Sequence, residues 1–168
     1  MTLRFVADAM LGTLAKWLRI LGYDTHYDPA LDDHQLVRLA RAETRVLLTR
    51  DRELSKRRGL QVLLVASEKV EEQVAQVVAD LELNPGKEFS RCPDCSAPLQ
   101  MLEPGAAEGR VPPYVAQTHK RFKLCPACQK VYWRGTHWRN MDRTLSRMRT
   151  VGASASAGDD ETHQQYGG

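Results

Sequence analysis

Short apolar runs alternate with stretches whose apolar residues recur every three or four positions, and the alternation happens four times in the first half of the chain. Leu3 to Ala7 is an apolar run that stops at Asp8; Leu11, Leu14, Trp17, Leu18 and Leu21 then follow helical spacing until Gly22. Thr25 to Tyr27 reads as a second strand. Asp28-Pro29 marks a turn, and Asp32-Asp33 an N-cap for a helix that carries Leu36, Leu39 and Ala40 toward Thr44. Arg45 to Thr49 is a third strand ending at Arg50-Asp51, and Asp51 to Arg58 predicts a short helix. Gln61 to Val65 is a fourth strand of buried type, followed by a helix with Val70, Val74, Val77, Val78 and Leu81 that stops near Asn84-Pro85-Gly86. Parallel neighbours need crossover helices, so this order predicts a parallel-sheet α/β/α sandwich over residues 1–86.

Past that point the pattern changes. Cys92-Pro93-Asp94-Cys95 and Cys125-Pro126-Ala127-Cys128 are two Cys-x-x-Cys pairs separated by 29 residues. Each pair can turn both sulfurs toward one ion about 2.3 Å away, and the interval holds a small antiparallel sheet. The alternative is two redox pairs or disulfides; paired knuckles with no odd cysteine favour a structural zinc ribbon over residues 89–135. Chelation is then expected to unfold the ribbon and spare the sheet domain. Residues 136–150 predict a basic terminal helix, and residues 151–168, rich in small and polar residues, a disordered tail.

Charge sharpens the division. Residues 1–88 carry 13 Lys and Arg against 14 Asp and Glu, whereas residues 89–150 carry 11 against 4. A module so basic points to a polyanion such as RNA or DNA, or else to a solvated surface without a partner. The N-terminus has no secretory leader pattern and no stretch approaches the roughly 18 apolar residues of a membrane span, so no membrane partner is expected. With metal-suited thiols, the expected compartment is the cytoplasm.

Ligands of open α/β sheets bind beyond the carboxyl ends of the strands, where this chain places Asp8 and Asp51, with Asp33 at the start of the helix after the second strand. Three carboxylates on one edge repel one another unless a cation sits between them, and magnesium or manganese fits oxygen donors. Such an ion activates water and neutralises charge on a phosphodiester. The modest reading is that all three are helix caps, with Asp32 able to replace Asp33 and Asp24 a turn residue. A phosphoaspartate enzyme would want a second acid in Asp8-Ala9-Met10, which lacks it. A receiver domain would want an acidic pair there.

Phe5-Val6-Ala7-Asp8, Leu14-Ala15-Lys16-Trp17-Leu18-Arg19 and Leu21-Gly22-Tyr23-Asp24-Thr25 resemble the opening of the Mut7-C family. Asp33-His34-Gln35-Leu36, Leu47-Leu48-Thr49-Arg50-Asp51-Arg52-Glu53-Leu54, both cysteine knuckles and Val131-Tyr132-Trp133-x-Gly135-x-His137 continue the resemblance in order, over about residues 3–141. It implies a PIN-like ribonuclease domain fused to a zinc ribbon: a metal-dependent endoribonuclease acting on single-stranded RNA, with Asp8, Asp33 and Asp51 as catalytic magnesium or manganese ligands. Glu68 is the nearest counterpart of a fourth acid.

Lys16, Arg19, Arg50, Arg52, Lys120, Arg121, Lys123, Lys130 and Arg134 are the expected phosphate contacts, while Tyr132, Trp133 and Trp138 can stack on bases and His119 and His137 assist. Tyr132 and Trp133 can equally pack the ribbon core. The rival function is a non-catalytic RNA-binding or ribosome-associated zinc-ribbon protein. A ribosome or a protein inhibitor is a further conceivable partner, and the oligomeric state is not readable.

Overall fold

The computed structural model describes residues 2–84, 89–135, 139–140 and 142–147. Four strands, β1 (Phe5–Ala7), β2 (Thr25–Tyr27), β3 (Val46–Thr49) and β4 (Val62–Leu64), form a parallel sheet in the order β2-β1-β3-β4. The central strands β1 and β3 are buried at every residue, as continuous apolar runs covered on both faces must be. On one face Phe5, Ala7 and Leu48 pack against α1 (Gly12–Ile20) and α4 (Val70–Asp80). On the other, Val6 and Leu47 pack against Leu36, Val37 and Ala40 of α2 (Asp33–Glu43) and Leu54 of α3 (Arg52–Ser55). The predicted sandwich is therefore present, with most boundaries shifted by a residue or two, but α3 ends three residues and α4 about four residues early, and β4, expected to be buried, is a half-buried strand at the sheet edge.

Two boundaries bear on function. The helix expected from Leu11 begins instead as a 3-10 helix, Ala9–Leu11, capped by Asp8, with α1 following from Gly12. Asp32, not Asp33, caps α2: its side chain accepts from the Gln35 amide while the Gln35 side chain accepts from the Asp32 amide, a capping box.

The cysteine-bearing module has three antiparallel strands, β5 (Gln100–Leu102), β6 (Phe122–Leu124) and β7 (Val131–Trp133), in sequential order, with α5 (Pro113–Thr118) between the first two. Its core is Ala107, Val111, Val115 and Phe122, with Val131 and Trp133 packed against it. The Trp133 ring is thus spent on packing.

This module is sewn to the sheet domain along β2. The Thr25 amide, on an edge strand, donates to Ser96 Oγ at 2.9 Å, and Ser96 lies one residue after the first knuckle. Arg19, expected at phosphates, is only 7% exposed: its Nε donates to the Thr25 carbonyl, and its Nη1 to the carbonyls of Pro93 and Asp94 inside that knuckle. A guanidinium so committed is a structural tie. Phe89 is buried in the main core, its amide donating to the Ile20 carbonyl, and Lys123 Nζ donates to the Phe89 carbonyl at 2.7 Å.

Of the predicted terminal helix, residues 142–147 are helical; Leu145 is buried in the main core and Arg147 pairs with Glu71 of α4 at 3.8 Å. Thr136, His137, Trp138 and the 151–168 tail fall outside the described residues. Among the described residues no helix is long and apolar enough to cross a membrane.

Asp24, expected to be a plain turn residue, anchors the same seam. Arg45, 9% exposed, donates through Nη1 to the Phe5 carbonyl and through Nη2 to Asp24 Oδ2 at 3.2 Å. Burial pushes the Asp24 carboxyl up, but the Arg45 hydrogen bond and charge, helped by Arg91 and Ser96, outweigh it and hold the carboxyl below its ordinary value. A carboxyl depressed in the folded state contributes stability above its unfolded pKa of about 3.9, lost as pH falls through the folded value. Asp24→Asn should therefore cost about 1–2 kcal/mol at neutral pH, less than a fully buried pair because Asp24 is 28% exposed. Urea melts across pH should show the gap closing below about pH 4.

Candidate functional site

The carboxyl ends of β1 and β3 are adjacent, because these strands pair with Ala7 opposite Leu48. The next residues therefore meet. The Asp8 amide donates to the Leu48 carbonyl at 3.0 Å, and the Thr49 hydroxyl donates to Asp8 Oδ2 at 2.8 Å. The same Thr49 oxygen accepts the Asp51 amide at 3.0 Å. One fully buried hydroxyl thus ties the two acidic residues together. Alternation along a strand puts Asp8 and Thr49 on the α2 face with Val6 and Leu47, the face where α2 starts at Asp33.

Each acidic side chain is held differently. Asp8 Oδ1 accepts the Ala9 amide at 2.7 Å, so both of its oxygens have partners. The turn that carries it is braced by Tyr27, whose hydroxyl donates to the Ala9 carbonyl at 2.8 Å. That ring lies so close over Gly12 that a Cβ there would sit 2.8 Å from a ring carbon, so any side chain at this position would push the Tyr27 ring away. Asp51 caps α3, its Oδ1 taking the amides of Glu53 and Leu54 at 2.8 and 3.3 Å, and its Oδ2 has no hydrogen bond among the described residues. Asp33 is exposed in the first turn of α2. Arg50 Nη1 lies 3.6 Å from Glu68, the nearest counterpart of a fourth acid.

Among the described residues, Asp8, Asp33 and Asp51 do not form a group of three with ligand atoms within 4.8 Å of one another; the four cysteines do. What the fold ties together is the Asp8 carboxylate and the Asp51 backbone, through Thr49, which leaves two carboxylates at neighbouring strand ends. That donor set still suits magnesium, which takes one or two carboxylates and keeps waters for the rest of its shell.

Cys92, Cys95, Cys125 and Cys128 have all their sulfurs within 4.8 Å of one another, Cys95 and Cys125 at 3.5 Å. Tetrahedral zinc needs sulfurs roughly 3.8 Å apart, so the cluster can close on an ion with small shifts. Burial pushes the Cys92 thiol up, but the Tyr132 hydroxyl 3.2 Å away and the amides of Asp94 and Cys95 bring it down to about 7. Cys128 is pushed up to about 12, first by its bond with Cys95 and then by burial and the neighbouring thiols. Four sulfurs this close cannot share negative charge without a cation among them. Tyr132 is therefore spent on the cluster, as Trp133 is on the core.

The remaining basic residues divide in two. Lys130 pairs with Asp94, Lys16 lies 3.9 Å from the same carboxylate, and burial, aided by Arg134, lowers the pKa of Lys123. Arg52, Lys120, Arg121 and Arg134 are exposed, the Arg134 carbonyl lying 3.1 Å from His119 Nε2. Sequence reasoning missed Thr49, Arg45 and the structural role of Arg19. Thr49 alone left a signal, a hydroxyl inside a buried strand that needs a partner.

A parallel α/β domain with acidic residues at its central strand ends, joined to a four-cysteine module, is an architecture suited to metal-assisted chemistry on polyanions. The chain belongs to the Mut7-C RNAse domain family: the family model, described as the Mut7-C RNAse domain, matches residues 3–145. Membership gives the chain a ribonuclease-type function, with RNA as the substrate class. Neither the curated proteins nor the solved structures gave a match.

Proposed function

We propose that the chain is a metal-dependent endoribonuclease that hydrolyses single-stranded RNA in the cytoplasm, with a PIN-like catalytic domain and a zinc ribbon that supports substrate binding. The observation that carries this is the Asp8–Thr49–Asp51 tie across the two central strand ends. A magnesium or manganese ion held there would supply Lewis-acid charge and an activated water. Asp8 and Asp51 provide its negative field, Asp51 through the oxygen that no donor among the described residues uses, and Asp33 adds a third carboxylate from the same edge. Thr49 fixes the spacing of the first two. Exposed Arg52, with Lys120, Arg121 and Arg134 on the ribbon, meets phosphates, while zinc among the four thiolates is structural.

Attack by water needs no help from the ribose 2′-hydroxyl, so the products carry a 5′-phosphate and a 3′-hydroxyl. End-group analysis after incubation of labelled RNA with the protein and manganese checks this. A 2′,3′-cyclic phosphate contradicts the mechanism.

A further inference from the structure

Arg50 lies between the two residues that tie the acidic edge, Thr49 and Asp51, yet its hydrogen-bonding capacity is largely unspent. Its side chain is 23% exposed, and its Nε is buried with no hydrogen-bond partner among the described residues. Nη1 faces the Glu68 carboxylate at 3.6 Å, an ion pair too long for a good hydrogen bond, and Glu68 is 85% exposed. An exposed carboxylate holds its partner weakly, because water solvates both. A guanidinium, by contrast, presents a fork of donors that matches two oxygens of a phosphate.

We propose that Arg50 is the residue that takes a backbone phosphate of single-stranded RNA at this edge, and that Glu68 is its internal competitor, holding the guanidinium until a phosphodiester displaces it. This rests on the RNA-substrate reading above and adds to it a specific contact and the anion that guards it. The other role open to Glu68, a fourth acidic metal ligand, would set it beside Asp8 and Asp51. It stands against Arg50 instead, and it forms no group of three ligands with them among the described residues.

The two roles make different predictions for Glu68→Gln. The test is the Kd of a short fluorescent single-stranded RNA for the zinc-loaded full chain, read by anisotropy without added magnesium or manganese so that hydrolysis does not run. Losing the competitor should tighten binding about threefold, the scale of one exposed ion pair. Arg50→Ala should weaken it about tenfold, the scale of a charge-assisted hydrogen bond.

The decisive figure is the double variant, in which Glu68→Gln no longer tightens binding because the guanidinium it guarded is gone. Arg50→Lys repeats the cycle if Arg50→Ala melts early. Equal tightening with and without Arg50 would reduce the effect to general charge and overturn the proposal. So would an unchanged Kd in Glu68→Gln, which leaves the RNA reading standing, or, in a separate manganese titration, weaker metal binding by Glu68→Gln, which makes Glu68 a metal ligand. No RNA binding by the wild-type chain overturns both this proposal and the reading beneath it.

Discussion

Asp51→Asn lowers the rate of RNA cleavage by at least about a hundredfold, the range seen when one charge-stabilising group is taken from a preorganised site, and leaves RNA affinity undiminished. Asparagine caps helices as well as aspartate does, so α3 keeps its bonds to the Glu53 and Leu54 amides and the fold is spared. What disappears is one negative charge and the oxygen that no donor among the described residues uses. If Asp51 served only as a cap, the variant would behave as wild type. Asp8→Asn should lose activity to the same degree but also some stability. Both Asp8 oxygens accept hydrogen bonds, and an amide can accept only through one, leaving Thr49 or Ala9 unpaired at about 1–3 kcal/mol. Removing an anion from a surface that meets a polyanion gives no cause for weaker binding. Cleavage and filter-binding assays on the same preparations separate the two effects.

Zinc removal, by chelation or Cys125→Ser, should destabilise the whole molecule rather than the cysteine module alone. Binding of zinc to four thiolates supplies about 10–16 kcal/mol in small domains, comparable with the entire stability of an ordinary fold. Modularity was the expectation from sequence, but the contacts oppose it. When the first knuckle opens, Arg19 loses the Pro93 and Asp94 carbonyls that cover its guanidinium, and the Thr25 amide on the edge strand loses Ser96. The chain should melt in one transition at a markedly lower temperature without zinc, by both far-ultraviolet circular dichroism and tryptophan fluorescence. Arg19→Met should reproduce part of the loss with zinc still bound. Two well-separated transitions, the upper one unmoved by chelation, would show that the domains fold independently.

The strand ends were legible because their rule is local: a buried apolar run that stops at an acidic residue places that residue at the edge of a parallel sheet. The cysteine cluster was legible for the same reason, two residues between sulfurs being a short-range signature. Asp32 was distinguishable from Asp33 in principle, since Asp32 with Gln35 three residues on is a capping box. Arg19 was not, because helical spacing puts it at the polar boundary of α1, and only the folded chain brings a knuckle 74 residues away onto it. For Tyr132 and Trp133 the sequence left base stacking and packing of the ribbon core both open, for the same reason. Alternation along β7 points one toward the thiols and the other into the small core, and that arrangement appears only once three strands are assembled.

Catalysis at this edge requires a divalent ion between Asp8 and Asp51, and electron paramagnetic resonance of manganese titrated into the zinc-loaded chain measures it directly. A single manganese should bind beyond the zinc, and Asp8→Asn/Asp51→Asn should abolish that binding and RNA cleavage together. Equal manganese binding by the two proteins, or cleavage that survives both substitutions, would contradict the claim and leave a protein that binds RNA without cutting it at this edge.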